Sequence, residues 1–575
     1  MLKSTLEAFT DPNGQARLAA ITGTVELSNL IPPTVSYESR GDLLIVGHQD
    51  AITACYQQLV AAVTEDFTLH SVTLLATERS AAATEKGENL YFSREVTVNG
   101  YLGAFEVTCR IDDTITETNA NLAKIAIGRD CFDLVLDMTS SGVVATEIPA
   151  PGYYHVAGNN TDAGKAKLGN VLDELPAMLG TFDKPKYFRL NPDLCAHSSR
   201  GVSGCDRCVD SCPAGALSSI GHAIEINPYL CQGVGTCATA CPTEAISYAL
   251  PDPDNTQHFV YRLLANFQTE GGDKPTLLFF GNRDEATVAN ALPHLPTSVI
   301  PVALEELATI GVDTWFSALV YGAHQVLLAT NTAYIPATID RVLSDELSIA
   351  QTFLTALGYD AERITLFDLA SAGTFKGYDS ALLPTVDANA ERPLTSERLE
   401  GTKREKLFAA LELLHRNSLA KPEFTDVPEN APYGSVECKT NDCTLCMGCV
   451  AVCPTRALHA IGDRPGLLFI AEDCVQCGMC EKACPESVIS LKPGFNWDTQ
   501  TRKEAQVVYE EEAACCTSCG KAFAPASMVK MLAEKLQGHS HFQGDAIRRL
   551  SMCEDCRVRD VFSTIENDPE SQLSV

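Results

Sequence analysis

The chain has 575 residues, of which 45% are hydrophobic and 20% are charged, and this balance excludes a disordered chain and favours several folded units. Its formal net charge of −31 at pH 7 disfavours nucleic acid and anionic membrane surfaces as partners. No apolar run approaches the roughly 20 residues that a membrane span needs. Redox or other protein partners with basic docking surfaces fit this charge, although it would equally serve solubility.

The 24 cysteines are the unusual feature of the composition. Most lie in short clusters that end in a Cys-Pro pair. This distribution is typical of metal ligands and not of a disulfide scaffold. The first residues, Met1 to Asp11, contain no apolar signal-peptide core. We therefore expect reduced thiols and a cytoplasmic location.

In chain order, apolar runs and turn signals predict six units. Residues 1–186 read as an α/β domain, with candidate strands at Leu43–Val46, Val72–Leu75 and Phe132–Leu136. The units expected after it are a cysteine-rich domain at 187–250, an α/β domain at 255–380, a helical linker at 381–435, a second cysteine-rich domain at 436–495 and a small cysteine module at 505–575.

The second cysteine-rich domain carries two complete copies of one motif. They read Cys443-x2-Cys446-x2-Cys449-x3-Cys453-Pro454 and Cys474-x2-Cys477-x2-Cys480-x3-Cys484-Pro485. Such spacing lets one loop supply three thiolates to a cubane cluster while the cysteine before proline points to the other cluster. This stretch resembles the bacterial two-cluster ferredoxin domain, which implies two hairpins and two short helices around two 4Fe–4S clusters.

The resemblance also implies how the cysteines are shared between the two clusters. Site C would consist of Cys443, Cys446, Cys449 and Cys484. Site D would consist of Cys453, Cys474, Cys477 and Cys480.

The first cysteine-rich domain resembles the same ferredoxin domain with two departures. Nine residues are inserted between Cys195 and Cys205, and Val234 stands where the middle cysteine of the second loop belongs. A longer loop costs little extra to close, so the inserted segment can still return its thiolate. By the same sharing rule, site A would consist of Cys195, Cys205, Cys208 and Cys241, and site B of Cys212, Cys231 and Cys237.

Three thiolates at site B suit a 3Fe–4S cluster, as in the seven-iron relatives of this family. Two alternatives stay open: a 4Fe–4S cluster with a fourth ligand other than cysteine, and no second cluster. The expected cofactors are therefore three 4Fe–4S clusters and one 3Fe–4S or altered cluster.

The C-terminal module contains two Cys-x2-Cys pairs. They are Cys516 with Cys519 and Cys553 with Cys556. Two such pairs, one of them on a glycine-containing turn, suit a tetrahedral zinc ion and resemble a treble-clef zinc ribbon. A fifth iron–sulfur cluster that recruits Cys515 is the alternative, because four cysteines can bind either metal.

The middle α/β domain resembles the delta iron–sulfur subunit of methyl-viologen-reducing hydrogenases over Val299 to Phe367. That family relays electrons between a hydrogenase and heterodisulfide reductase. Where the family has cluster-forming cysteines, this chain has Gly281-Asn282-Arg283 and Thr330-Asn331. The resemblance thus implies a docking scaffold without a cluster of its own.

The predicted fold class is a multidomain α/β plus α+β protein, with two ferredoxin-like domains between α/β domains and a zinc-ribbon-like module at the end. No Walker loop, nucleophile elbow or zinc-protease motif is present, so no catalytic residue is assigned. The leading hypothesis is a single-electron relay that serves a formate dehydrogenase or a hydrogenase-type enzyme. The alternatives are an oxidoreductase with its own flavin site and an assembly factor for an iron–sulfur or molybdenum oxidoreductase.

Overall fold

The computed structural model describes residues 2–25, 27, 33–62, 69–80, 89–110, 119–157, 161–372, 393–462 and 464–567. Among the helices of these ranges, none combines the length and the apolar character that crossing a bilayer requires. The described chain alternates α/β units with small cysteine-rich units, which is the mixed architecture expected from the sequence.

The N-terminal unit is built on a sheet of five parallel strands. Their spatial order is Leu90–Phe92, Ser71–Glu78, Asp42–His48, Leu134–Asp137 and Tyr153–His155. The central strand Asp42–His48 is buried at its first six residues because both faces of a parallel sheet are covered. The helices of this unit are Gln49–Ala62, Leu122–Ala126 and Asp162–Glu174. Helices Leu2–Leu6 and Pro12–Gly23, which the sequence placed in the N-terminal domain, pack on the middle unit instead, because their apolar residues Leu6, Ala16 and Ala20 join its core.

Two smaller antiparallel sheets complete the N-terminal unit. One joins Val96–Asn99, Glu106–Cys109 and Ala120–Asn121, and the other pairs Thr34–Ser39 with Gly180–Pro185. The two-stranded ribbon formed by Thr34–Ser39 and Gly180–Pro185 leads the chain directly into the first cysteine-rich module.

The middle unit contains four parallel strands. Their spatial order is Val299–Leu304, Thr276–Gly281, Gln325–Thr330 and Ile364–Asp368. Its helices are Pro253–Thr269, Glu285–Ala291, Val312–Val320, Ala337–Ala356 and Leu369–Ala372. The order places a topological switch point between the carboxyl ends of the strands that finish at Gly281 and Thr330, where open α/β sheets form a crevice.

Helix Lys403–Asn417 lies inside the segment expected to be a linker. It begins with a capping box between Thr402 and Glu405, and it packs against helix Val312–Val320. Its buried face contributes Leu407, Phe408, Ala410, Leu411 and Leu414 to the core of the middle unit. The helix is thus a structural part of that unit, whereas residues 381–392 of the expected linker lie outside the described residues.

Each cysteine-rich module is made of paired short strands and two short helices. The first pairs Phe188–Leu190 with Ile246–Tyr248 and Leu217–Ser219 with Ile224–Ile226, and its helices are Arg207–Asp210 and Thr236–Ala240. The second pairs Gly434–Cys438 with Ile489–Pro493 and Leu458–Ala460 with Gly466–Phe469, and its helices are Gly448–Val452 and Met479–Lys482. The shared arrangement agrees with two copies of one domain.

Three additions distinguish the modules. The inserted loop of the first forms a small hairpin of Ser198–Ser199 and Val202–Ser203. Strand Gln506–Glu510 adds a third strand to the second module, and Phe424–Thr425 pairs with Phe495–Asn496. Helix Thr499–Lys503 precedes the added strand.

The C-terminal module follows the added strand directly. It comprises strands Ala513–Cys515 and Ala522–Pro525 and helices Ala526–Leu536, Asp545–Arg548 and Glu554–Asn567. Its first strand begins three residues after the second cysteine-rich module ends, so the two are neighbours in space as well as in sequence.

Candidate cluster and metal sites

The cysteine loops of the second module are bent by residues in the left-handed backbone region. The residues on either side of Cys446 and of Cys477 all have positive φ. They are Leu445 at 49°, Met447 at 61°, Gln476 at 53° and Gly478 at 79°. Positive φ is uncommon for residues with a Cβ, and such strain concentrates where function requires a special backbone shape. Here it bends the two loops at their middle cysteines.

The loop that contains Val234 keeps the same backbone shape. Gly233 and Gly235 flank Val234 with φ of 75° and 86°, so Val234 occupies the position that Cys446 and Cys477 occupy in the other loops. Its side chain is only 7% exposed and belongs to the core of the middle unit. The loop therefore retains a cluster-binding shape but presents an apolar side chain at one corner.

A second repeated turn follows each Cys-Pro pair. The residue two positions after each proline has a positive φ. These residues are Gly215 at 61°, Glu244 at 59°, Arg456 at 58° and Ser487 at 51°. In two of the four copies, the backbone N–H of the residue after this turn donates to the sulfur of the cysteine before the proline. These hydrogen bonds run from Ala216 to Cys212 over 3.3 Å and from Val488 to Cys484 over 3.4 Å. Such N–H donors stabilise thiolate charge.

The second module brings the expected partners of each site together. Burial, with smaller contributions from the three other thiols of site C, raises the pKa of Cys449 to about 11. Burial also raises the pKa of Cys480, with added contributions from the three other thiols of site D. Since burial disfavours bare thiolates, these groups suit a metal centre whose positive charge replaces their protons.

The first module shows the same grouping. Burial, with smaller contributions from the other three thiols of site A, raises the pKa of Cys208 to about 12. The pKa of Cys237 lies well above its ordinary value because of burial first and of the other two thiols of site B second. The inserted hairpin therefore brings Cys195 back to its expected partners despite its distance along the chain.

The two modules meet between sites A and D. A Cβ built on Gly204 would lie 2.5 Å from Cε of Met479, and Lys482 Nζ donates to the carbonyl oxygen of Ser203 over 3.0 Å. Gly204 precedes a cysteine of site A, and Met479 lies between two cysteines of site D. Burial raises the pKa of Cys205 to about 11, and Cys477 across the junction contributes in the same direction.

Within each module, the thiols of one site also lie near those of the other site, so the four sites form one continuous row. Two thiols of site A, Cys208 and Cys241, contribute to the raised pKa of Cys237 at site B. In the second module, Cys449 at site C contributes to the raised pKa of Cys480 at site D. The four groups of thiols thus follow one another in the order B, A, D, C.

The C-terminal module gathers four thiols more tightly. The sulfur atoms of Cys516, Cys519, Cys553 and Cys556 all lie within 4.8 Å of one another, and those of Cys519 and Cys553 are 3.7 Å apart. A tetrahedron with Zn–S bonds of about 2.3 Å has an edge of about 3.8 Å, so the group has the size of a zinc site. Cys515 is exposed and lies outside this group.

The turn between Cys516 and Cys519 also favours the thiolate form of Cys516. Ser518 donates its backbone N–H to the sulfur of Cys516 over 3.4 Å, and Gly520, with φ of 77°, closes the turn. Burial acts to raise the pKa of Cys516, but backbone N–H groups of Cys553, Cys519 and Ser518 outweigh it and lower the pKa to about 6. This donor arrangement favours a metal-bound thiolate.

Three basic side chains that the sequence did not single out lie against the cysteine sites. Each donates to the backbone carbonyl of a site cysteine. The contacts are Lys184 Nζ to Cys231 over 2.8 Å, Lys403 Nζ to Cys241 over 3.3 Å and Arg404 Nη2 to Cys474 over 2.6 Å. No motif could have found them, because they come from a ribbon and a helix outside both modules.

Two further residues adjoin the sites. Cys438, unassigned from the sequence, lies beside Cys443, and burial followed by that neighbour raises the pKa of Cys438 to about 12. His197, also unassigned, is buried, and its ring nitrogens contact Asp206 Oδ1 at 2.9 Å and Ser219 Oγ at 2.8 Å. Because both ring nitrogens already have partners, this histidine holds the inserted hairpin in place.

Loops with this spacing, duplicated and wrapped by left-handed turns, define an iron–sulfur protein of the 4Fe–4S ferredoxin type. The family described as "4Fe-4S dicluster domain" matches residues 183–245, and the family described as "4Fe-4S binding domain" matches residues 467–490. When bound, such clusters accept and donate single electrons.

Comparison with curated proteins gives the same class. The chain is 34% identical over 59 residues to a ferredoxin of Methanocaldococcus jannaschii and spans 94% of that protein and 9% of this chain. It is 35% identical over 81 residues to the ferredoxin-type protein NapF of Escherichia coli K12, which is 13% of this chain and about half (49%) of that relative. The chain belongs to the ferredoxin-type iron–sulfur proteins.

Proposed function

We propose that this protein relays single electrons between redox partners through four clusters held at sites A, B, C and D. The ligands are the fifteen cysteines assigned above, with 4Fe–4S clusters at A, C and D. The observation that carries this proposal is the row B, A, D, C, because contact between the modules makes one path out of two ferredoxin domains.

Site B holds a 3Fe–4S cluster in this proposal. The loop around Val234 keeps its wrapped shape, so a cluster can sit there, but the missing thiolate leaves one corner without a cysteine. Val234 is buried against Leu307 and Ala308 of the middle unit, and the two carboxylates of the pocket that it lines, Glu306 and Asp284, are already bonded to Arg283 and Tyr334. These surroundings favour three irons over an altered four-iron cluster.

The C-terminal site holds a structural zinc ion. Four closely spaced thiolates with no open position are typical of structural zinc, and the sulfur spacing supports zinc over a wider iron–sulfur cubane. Ser527 of this module donates to the carbonyl oxygen of Cys443 over 3.3 Å. The zinc module thus stabilises the end of the row at site C.

A larger redox enzyme of the formate dehydrogenase or hydrogenase type is the partner that we propose. The resemblance of the middle unit to hydrogenase delta subunits favours such an enzyme, and the acidic chain suits a basic docking surface on it. In this arrangement the middle unit covers site B, where Gly235 approaches Thr309 so closely that a Cβ would lie 2.7 Å from Cγ2.

Rapid-freeze EPR during anaerobic reduction tests the relay. We expect the signal of the module that reacts first with a sub-stoichiometric one-electron reductant to decay while the signal of the other module grows, since electrons redistribute along one row. If electrons given to one module stay there, and the other module is reduced only as more reductant is added, the two modules are separate carriers and the proposed continuous path is wrong.

A further inference from the structure

Three of the four cysteine sites are contacted by a cation from outside the cysteine modules. Lys184 lies on the ribbon strand Gly180–Pro185, and Lys403 and Arg404 open the helix Lys403–Asn417. Lys184 contacts site B and Arg404 contacts site D. Lys403 contacts site A at Cys241, the residue that follows helix Thr236–Ala240, which itself carries Cys237 of site B.

Several hydrogen bonds fix each cation in place. Lys184 also donates to the carbonyl oxygen of Tyr229 over 2.9 Å, and Arg404 also donates to that of Glu472 over 2.6 Å. Lys403 reaches the carbonyl oxygens of Ala238 and Thr239 in addition to Cys241. The charges are therefore held at defined positions and do not sample solvent as surface lysines do.

These cations lack the usual carboxylate partners. Within the described ranges, no carboxylate oxygen lies within the 4.0 Å ion-pair distance of Lys184 Nζ, Lys403 Nζ or the Arg404 guanidinium. Glu346 and Asp313 lie in the wider surroundings of Lys403, whose backbone N–H donates to Glu244 over 2.9 Å, and Glu472 and Asp473 adjoin Arg404. A half-buried cation without a paired carboxylate is costly, and an anionic thiolate-bound cluster next to it would compensate the charge.

Site C differs from the other three. Within the part of the chain that the structure describes, no Lys or Arg side chain donates to a carbonyl oxygen of its four cysteines. The side chain at the Cys443 carbonyl is Ser527, whose single hydroxyl proton is shared between that oxygen and Glu511 Oε1 2.7 Å away, so the neighbour of this site is bonded to a carboxylate and carries no positive charge. Cys446 of this site is exposed.

We propose that Lys184, Lys403 and Arg404 raise the reduction potentials of the sites that they contact, which leaves site C as the most negative end of the row. This inference rests on the proposed relay. Reduction adds one negative charge to a cluster, and a fixed cation in a poorly screened environment favours the reduced form. Solvent exposure of Cys446 acts in the opposite sense, and the proposal requires the cation contribution to exceed it.

The gradient sets a direction for electron flow. A reduced one-electron carrier of matching low potential would dock near the exposed Cys446 and lose one electron, and an acceptor that docks on the middle unit, which covers site B, would gain one. Electrons therefore run from the second module to the first, from the zinc module toward the middle unit.

EPR-monitored redox titration of the anaerobic full-length protein tests this inference. The variants Lys184→Gln, Lys403→Gln and Arg404→Gln keep hydrogen-bond donors but remove the charge. We expect each to shift the potential of its own site to a more negative value, with Lys403→Gln affecting A and B, and to leave site C unchanged. Lys184→Arg, Lys403→Arg and Arg404→Lys should return the potential toward the wild-type value.

The control is Lys492→Gln, which removes an exposed charge of the second module that pairs with Glu437. Wild-type protein should show site C as the last cluster to be reduced. If the three Gln variants assemble all clusters but titrate like wild type, or if site C is reduced first, the inference is wrong while the relay stands. If no clusters assemble in wild type, the proposed function itself fails.

Discussion

Gly204 and Met479 touch across the junction of the two cysteine modules, where a Cβ on Gly204 would come within 2.5 Å of the Met479 Cε and 2.7 Å of the carbonyl oxygen of Ala196. The glycine therefore permits the close approach of sites A and D.

Gly204→Val tests the junction. The added side chain cannot fit, because the Ala196 carbonyl oxygen belongs to the backbone and cannot move aside as the end of Met479 could. We expect all clusters to assemble but the magnetic interaction between reduced sites A and D to weaken, as measured by power saturation in EPR. Gly169→Ala is the control, since a Cβ there meets nothing within 4 Å. An unchanged interaction in Gly204→Val would show that the modules do not need this contact.

Val234→Cys tests the assignment of site B. Val234 stands where other loops have cysteine, between two residues with the required positive φ, and cysteine is smaller than valine. We expect the variant to hold one more iron per chain and to lose the oxidised-state EPR signal of a three-iron cluster. Val234→Ala is the matched control without a thiol. If wild-type protein already shows four irons at this site, the three-iron proposal is wrong.

Cys519→Ser tests the zinc site. Loss of one of four ligands should remove the zinc and the local folding energy that it provides, about 10–16 kcal/mol in small zinc domains. Metal analysis should find iron unchanged and zinc lost, and hydrogen exchange should increase in helix Glu554–Asn567. Cys515→Ser provides the control, because that neighbouring cysteine is exposed and outside the group. Equal zinc loss in both variants would contradict the assigned ligands.

The buried carboxyl of Glu346 predicts a pH dependence of stability. Burial raises the pKa of Glu346 to about 7, with Lys403 acting in the opposite direction. Since the folded-state pKa is raised, the stabilisation is complete below the ordinary carboxyl pKa and is lost as pH rises through about 7. We expect helix Ala337–Ala356 to lose about 1 kcal/mol of opening free energy between about pH 6 and about pH 8.

Hydrogen exchange of that helix measures the effect. The Glu346→Gln variant should show a flat profile over the same range, because its amide does not ionise. A wild-type helix whose protection is independent of pH would show that Glu346 is already ionised, or neutral, throughout.

The cysteine loops could be read from the sequence because their chemistry is local. Spacing and the Cys-Pro pairs specify a wrapped loop, and the turns at Leu445 and Met447 follow from it. The expected linker shows the limit of that reasoning: the pattern of helix Lys403–Asn417 was visible, but its burial against the helix that contains Trp315 depends on distant contacts.

The cations and the junction were beyond sequence reasoning for the same reason. Lys184 and Arg404 reach cysteines 47 and 70 positions away, and Lys482 reaches Ser203 from 279 positions away. Nothing in the composition of those segments marks them, since a single Lys or Arg in an acidic chain is ordinary. Their roles depend on which cysteine the folded chain brings next to them.

Quantification of iron, acid-labile sulfide and zinc in protein purified without oxygen, combined with low-temperature EPR of reduced and oxidised samples, tests the central claim most directly. The account predicts about 15 irons and one zinc per chain, with signals from interacting 4Fe–4S clusters on reduction and a three-iron signal on oxidation. Protein that folds with zinc but contains no iron, or that shows no cluster signals in either state, would contradict the proposed relay.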